Sequence, residues 1–582
     1  MLTVSLRCLL FAGVLAVAVM AAPAPAFAGG SPDQHDDQYI SGDQAEGLVP
    51  PLESLTSLDC ENGQAGPYPC KNVDLASSVP LPEFGLGSGN DVWGWTDPRT
   101  GREYAIVGTA LSTGFVDVTN PENPKVVGEL PTAGIPDFVL WRDIKVDGHY
   151  AFIVSEVSRH GMQVFDLRRL RGAGPTPTVF DADANYRGMD SSGEILSNSH
   201  NISINRKTDY AYLVGTNTCD NGEEAGGLHM VDISDPLKPR FAGCAIVRDA
   251  DGDDETESNN YVHDVDCEVY TGPDRDFRGR EICFGSNENA VVIYDVTRKK
   301  RPKVLSQTTY PTAAYTHQGS LTQDQEHFIF GDELDEGVLS SGGGGTVDNT
   351  TTYILRAGKL RDPGRVKAHA HGTTAIDHNL YIHGRRIFQS NYTAGLRIQT
   401  FNDRTLKEGR LREIGYFDVF PAGDPNDFAG TWSNYRFNSG TVVVSSIEDQ
   451  LSGLFVLRPD LPDRTDGRKG NRPCPRDEAT IEGTSKSDTI RGTSGRDVIL
   501  SHGGNDEVFG RGGNDRICDG RGADEISGGR GADRIHGRRG ADFLKGQKGA
   551  DRLRGGPGRD KIRGGPGNDS ITGGPGADDS KQ

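Results

Sequence analysis

Residues 262–307 read VHDVDCEVYTGPDRDFRGREICFGSNENAVVIYDVTRKKRPKVLSQ. Four short runs, VHDVDCEVY, REICFGSNEN, AVVIYDVT and RPKVLSQ, are separated by polar turns carrying Gly or Pro. Val, Ile, Tyr and Phe dominate them, as a pleated and half-buried surface prefers. Four strands in succession make a meander, and a lone meander leaves one face uncovered. Further copies of the unit must therefore stack against it.

The chain supplies them. A polar pair precedes an apolar run seven times: Asn90-Asp91, Arg142-Asp143, His200-Asn201, His263-Asp264, His317-Gln318, His378-Asn379 and Ser433-Asn434. The second members lie 52 to 63 residues apart. A second run recurs as YAIVG, YAFIV, YAYLV, EICFG, HFIFG, RIFQS and TVVVS, and a third as GFVDVTNP, GMQVFDL, GLHMVDISDP, VVIYDVT, TTYIL, AGLRIQTF and GLFVLRP. Four-strand repeats at this spacing predict a β-propeller of seven blades. After GLFVLRP the composition turns to linker, so blade seven lacks an outer strand. Val73–Leu81 is available to supply it and close the ring.

From Gly483 the period becomes nine. Asp488, Asp497, Asp506, Asp515, Asp524, Asp533, Asp542, Asp551, Asp560, Asp569 and Asp578 follow one another without slippage. An apolar residue lies two positions after all but the last, from Ile490 to Ile571, and Gly lies two before each from Gly495 onward. The pattern G-G-x-G-x-D-x-U-x resembles the RTX (haemolysin-type) repeat, which implies a parallel β-roll with calcium as its cofactor. The apolar residues stack into a thin core. Asp carboxylates and turn carbonyls are hard oxygen ligands suited to calcium at about 2.3–2.6 Å. Asp497 to Asp578 are thus the candidate calcium ligands. Arg511, Arg538 and Gln547 replace the second Gly, Ser501 and Asp519 the first, and Lys486 the one before Asp; occupancy is expected to suffer at those turns.

The whole sequence is therefore expected to be all-β, a seven-bladed β-propeller followed by a β-roll. Met1–Ala28 has the charged start, apolar core and Ala26-Phe27-Ala28 cleavage site of a secretory signal. Residues 29–57 read as a disordered lead-in, 58–461 as the propeller, 462–482 as a linker and 483–582 as the roll. The formal charge is −21, yet residues 483–582 hold 18 Lys/Arg against 15 Asp/Glu, so the acidity sits in the propeller part. Such a chain repels a phosphate backbone, which argues against nucleic acid. No run after the leader is apolar enough to span a membrane. Eight cysteines beyond Cys8 suit an oxidising compartment, and local pairing gives Cys60–Cys70, Cys219–Cys244, Cys267–Cys283 and Cys474–Cys518.

Two carboxylate patterns have plain structural readings. Asp117, Asp166, Asp232 and Asp295 end third strands, where Asp bonds turn N–H groups. The run Asp249–Glu255 reads as a solvated acidic loop. The histidines are different. His200, His263, His317 and His378 take equivalent positions at the start of four consecutive first strands, which line a propeller's channel. They either bond separately to neighbouring backbone or converge on a transition metal at about 2.0–2.1 Å. In the latter case Asp143 and Asp264 would orient ligands or act as a base.

NGQAGPYPCKNVDL, GSGNDVWGWTDPRTGREYAIVG, SEVSRHGMQVFDL, GGLHMVDISDP, YVHDVDC, GREICFGSNE, AAYTHQG and DELDE together resemble the choice-of-anchor B family, whose repeats are of LVIVD type. The resemblance runs from about Leu58 to Leu461. It implies an exported propeller-like protein with a variable C-terminal attachment module, and no established catalytic residue. The function expected is that of a secreted, calcium-binding scaffold for an extracellular protein or glycan. The alternative is an extracellular metal-dependent enzyme using the histidines.

Overall fold

A computed structural model describes residues 52–581 except 85–87, 136–138, 140, 175, 223–224, 248–259, 338–345, 448–452, 460, 462–478, 485 and 575. The signal segment and the acidic loop Asp249–Glu255 therefore lie outside the described residues. The chain divides into Met1–Gln38 and Tyr39–Gln582, and every described residue belongs to the second unit.

The quoted stretch folds as read. Asp264–Val269, Glu281–Asn287, Ala290–Asp295 and Lys303–Thr308 form one antiparallel sheet in sequence order. Six further sheets of the same design start at Gly89, Arg142, Asn201, Thr316, Leu380 and Gly430, completing a seven-bladed propeller. Helix is confined to Asp403–Lys407 and two short 3-10 turns among the described residues. Each interface between neighbouring blades holds its own apolar cluster. Blades one and two share Ile106, Phe115, Ile153 and Phe165; blades six and seven share Phe388, Ile398, Val444 and Phe455. Burying one such side chain stabilises by about 1.5–3 kcal/mol, so every interface is a core in its own right.

Closure uses the N-terminal segment twice. Val73–Pro80 pairs antiparallel with Gly453–Pro459 as the outer strand of blade seven, and Thr56–Leu58 adds beyond it. Tyr68–Lys71 also pairs with Arg412–Phe417 and extends blade six. The described part of the lead-in is accordingly ordered: Leu52 is buried and Thr56–Leu58 is a strand. The sequence reading placed residues 29–57 outside the propeller; edge pairing of Thr56–Leu58 and packing of Leu52, Leu55 and Leu58 against the core of blades six and seven tie the described part to it.

The recurring polar pairs have a mechanical role. Ile144 N–H donates to Asp91 Oδ2 (3.1 Å), Ile202 N–H to Asp143 Oδ2 (2.8 Å) and Leu380 N–H to Gln318 Oε1 (2.8 Å). Second members thus tie one inner strand to the next blade. The third-strand aspartates cap turns: Asp117, Asp232 and Asp295 accept from the N–H of Thr119, Ser234 and Thr297, and Asp166 from Arg168. Disulfides join Cys60–Cys70, Cys219–Cys244 and Cys267–Cys283. Cys518 is disulfide-bonded as well, and its expected partner Cys474 lies outside the described residues.

The C-terminal repeats form a parallel β-solenoid of two six-stranded sheets, in which strands 18 residues apart are neighbours. Its first strand, Ile481–Glu482, begins inside the segment the sequence reading gave to the linker. The core is one aliphatic side chain per repeat, from Ile490 through Ile499, Val508, Ile517 and onward to Ile562.

Candidate functional site

The aspartates of the solenoid do two jobs with two oxygens. Asp497 N–H donates to Asp515 Oδ1 (2.8 Å), and the same bond joins Asp506 to Asp524 (2.7 Å), Asp515 to Asp533 (2.9 Å) and Asp542 to Asp560 (3.0 Å). One oxygen is spent on stacking each turn on the next. The other, Oδ2, is buried without a hydrogen-bond partner at Asp506, Asp515, Asp524, Asp533, Asp542, Asp551 and Asp560. A buried, unpartnered carboxylate oxygen is costly. Burial, and next the neighbouring carboxylates, push Asp515 up to about 8 and Asp542 up to about 7.

Those oxygens face a space that glycine keeps open. A Cβ on Gly537 would stand 2.6 Å from Asp542 Oδ2 and 2.9 Å from the Gly555 carbonyl oxygen. Gly528, Gly546 and Gly555 relate in the same way to Asp533, Asp551 and Asp560, and Gly564 and Gly573 lie against Asp569 and Asp578. A carboxylate oxygen of one turn and a carbonyl oxygen of the next therefore point into one cradle. This donor set fits calcium, which takes hard oxygen ligands and would cancel the repulsion.

Asp497 differs from the other expected ligands. Its Oδ2 accepts from Thr493 N–H (2.7 Å) and Thr493 Oγ1 (3.1 Å), and Asp488 is served likewise by Thr484. A hydroxyl and an amide do there what the ion would do elsewhere. The non-glycine substitutions at Arg511, Arg538 and Gln547 keep the turn by taking φ of 75°, 69° and 75°, a region side chains rarely adopt. Asp519, in place of a glycine, brings a third buried carboxylate beside Asp506 and Asp524, with ligand oxygens within 4.8 Å of one another.

In the propeller, the four histidines form one arc. Ring centroids are 4.3 Å apart for His200–His263, 4.1 Å for His263–His317 and 4.3 Å for His317–His378. All four are buried beside the stacked indoles of Trp141 and Trp432. The rings are contiguous, and two of them also bond to backbone. His263 Nδ1 meets the His317 carbonyl oxygen (2.9 Å), and His378 Nδ1 meets that of Trp432 (2.6 Å), each on the following blade. A carbonyl only accepts, so both Nδ1 atoms carry the proton and both Nε2 atoms carry a lone pair. His200 Nδ1 lies 2.6 Å from Glu156 Oε1. Asp143 and Asp264 are engaged elsewhere: Asp143 bonds Lys145, Ile144 and Ile202, and Asp264 bonds Val265. Among the described hydrogen bonds, neither reaches a channel histidine.

The residue sequence reasoning missed is Glu333. Its Oε2 is 3.4 Å from His317 Nε2 and its Oε1 is 3.6 Å from His378 Nε2, while Tyr392 Oη donates to Oε1 (2.5 Å). It follows the second strand of blade five, outside the repeating positions. The acidic run DELDE was the available signal. Farther along it, Asp335 and Glu336 meet Asp377 in a buried carboxyl cluster.

No curated protein matches this chain. Solved structures that resemble it include the β-propeller domain of Cps50 (Swd1) from Myceliophteria thermophila, at 10% identity and TM-score 0.39, covering 66% of this chain and 99% of that one. A protein from Lactobacillus plantarum has 11% identity and TM-score 0.38, covering 62% and 89%. A functionally unknown protein from Desulfotomaculum acetoxidans has 12% identity and TM-score 0.36, covering 59% and 89%. Likeness this distant says nothing of ligand or activity. The family model for the RTX calcium-binding nonapeptide repeat matches residues 482–517, 519–544 and 545–579. The C-terminal solenoid is thus built of RTX repeats, and these bind calcium.

Proposed function

We propose that this chain is a secreted scaffold: a seven-bladed propeller that binds an extracellular protein or glycan, carried beside a roll that calcium folds outside the cell. The observation that carries the reading is the file of buried Asp Oδ2 atoms at glycine cradles. Such a file is unfavourable without a cation and is stabilised by one, which links folding to calcium concentration. The signal-like segment Met1–Ala28, the disulfides and the RTX repeats support export. The likeness to choice-of-anchor B proteins, with the RTX roll in place of their attachment module, supports a surface or extracellular setting.

The test is a calcium titration of the full chain followed by limited proteolysis. Residues 482–579 should be cut in a calcium-selective chelator and protected at about 10⁻⁴–10⁻³ M calcium, the range of extracellular modules. Equal protection with and without calcium would remove the basis of the proposal. The second reading, a metal-dependent enzyme, is favoured by the contiguity of the histidines. Their burial counts against it, because a catalytic ion keeps a position open to substrate.

A further inference from the structure

The Nε2 atoms of His317 and His378 face the two oxygens of one carboxylate, at 3.4 and 3.6 Å. The tautomer of His378 is fixed by its Nδ1 bond to the Trp432 carbonyl, so its Nε2 presents a lone pair to Glu333. Lone pair facing lone pair is repulsive. A cation between them, a proton or a metal ion, removes that repulsion, and a single metal ion serves both imidazoles at once. His317 Nδ1, also buried, has no hydrogen-bond partner, so that ring is not committed by a bond on its far side.

We propose that His317, His378 and Glu333 hold one divalent transition-metal ion. The three ligand atoms lie within 4.8 Å of one another. Two imidazoles and a carboxylate suit zinc or its neighbours in the first transition row rather than calcium, which takes oxygen ligands. The ligands come from blades five and six, so the ion is a staple between neighbouring blades. The supporting bonds are in place: the Trp432 carbonyl orients His378, and the Tyr392 hydroxyl orients Glu333. The site is buried, and its role is structural. It goes beyond the scaffold reading and does not depend on the roll.

The experiment uses the untagged full chain, stripped with a strong chelator and then titrated with Co²⁺ in millimolar calcium. One equivalent should bind and give the visible absorbance of a nitrogen- and oxygen-ligated tetrahedral or five-coordinate centre. Glu333→Gln preserves shape, and it should weaken Co²⁺ binding by more than about 100-fold, the upper end of what loss of an outer-shell partner costs. His317→Ala should abolish the absorbance. Unchanged far-ultraviolet circular dichroism guards against simple misfolding of either variant. His369→Ala, which removes a histidine outside the arc, should bind as the parent does. Absence of stoichiometric Co²⁺ binding, or an unaltered spectrum in Glu333→Gln, overturns the proposal. Calcium protection of the roll would be intact in either case, so this failure is distinct from failure of the calcium reading.

Discussion

The two regions of this protein are both all-β, yet they are stabilised in opposite ways. The propeller buries whole faces of sheets, with Phe, Tyr, Val and Ile in a separate cluster at each interface between blades. Asp91, Asp143 and Gln318 tie its inner strands to one another across blades. The roll has a core one side chain thick and a file of carboxylate oxygens with no protein partner. The lesson is that repetition alone does not confer stability. Fifty-residue repeats carry enough apolar surface to hold one another, whereas nonapeptides need an ion at the turn.

The largest break between the regions should come from calcium. In calorimetry of the full chain with a calcium-selective chelator, the transition of the roll should vanish while that of the propeller stays where it was. A roll that melts cooperatively without calcium would erase the contrast. Next in size is ring closure. Deleting Val73–Pro80 removes Val73, Leu75 and Val79 from the core, at about 1.5–3 kcal/mol each, and bares the edge of Gly453–Pro459. The propeller should lose about 5 kcal/mol or more, read as a fall in its denaturant midpoint, with calcium binding by the roll unaffected. A propeller of parental stability would show that the strand only decorates the ring.

Acid acts on the propeller in two directions and on the calcium-free roll mainly in one. Burial holds His160, His371 and His383 down to about 3 and His229 to about 4. Arg142, His369 and Arg397, and Arg436 add to the depression of the first three, while Asp190 opposes it at His229. Their folded-state values lie below the unfolded one, so the unfolded chain binds more protons. Each such histidine therefore weakens the propeller as pH falls below about 6.5, by about 1.4 kcal/mol per unit. Burial raises Asp91 and Asp418 to about 8 and Asp264 and Asp335 to about 7, which works the other way. In the calcium-free roll, raised carboxylates outnumber the depressed imidazole of His536. Asp515, Asp533 and Asp542 are raised to about 8, 7 and 7, so protonation favours the folded form and that help is lost as pH rises through those values. Circular dichroism in chelator at pH 4.5 and 7.5 checks this; a roll no better folded at pH 4.5 than at 7.5 would sink the argument.

The smallest effect is within the roll. Asp542→Asn removes a cradle oxygen and should lower calcium stoichiometry by about one ion. Asp497→Asn acts on an oxygen already held by Thr493 and should leave stoichiometry unchanged. Equal losses from the two substitutions would mean that Thr493 yields to the ion.

Much of this was legible in the residues. The meander at 262–307 and its six copies are visible because alternating apolar runs recur with a polar pair before each. The nine-residue period is visible because Asp and Ile never slip. The pairing of Val73–Pro80 with blade seven could be inferred from a missing strand, but the use of Tyr68–Lys71 by blade six could not, since blade six has four strands without it. The site was half legible. The four histidines stood out by position, whereas Glu333 lies beyond a strand end in a loop with no periodicity.

The sequence by itself determined which chemistry is present and at what interval: one polar pair per blade and one aspartate per nonapeptide. Local pattern is enough for that, because strand period and turn chemistry are set by near neighbours. Only the tertiary structure decided which oxygens and nitrogens stay uncommitted. Thr493 satisfies Asp497 while Asp542 is left open, and Glu333 rather than Asp143 reaches the histidines. Those outcomes depend on side chains brought together across turns and blades, and no residue carries that information alone.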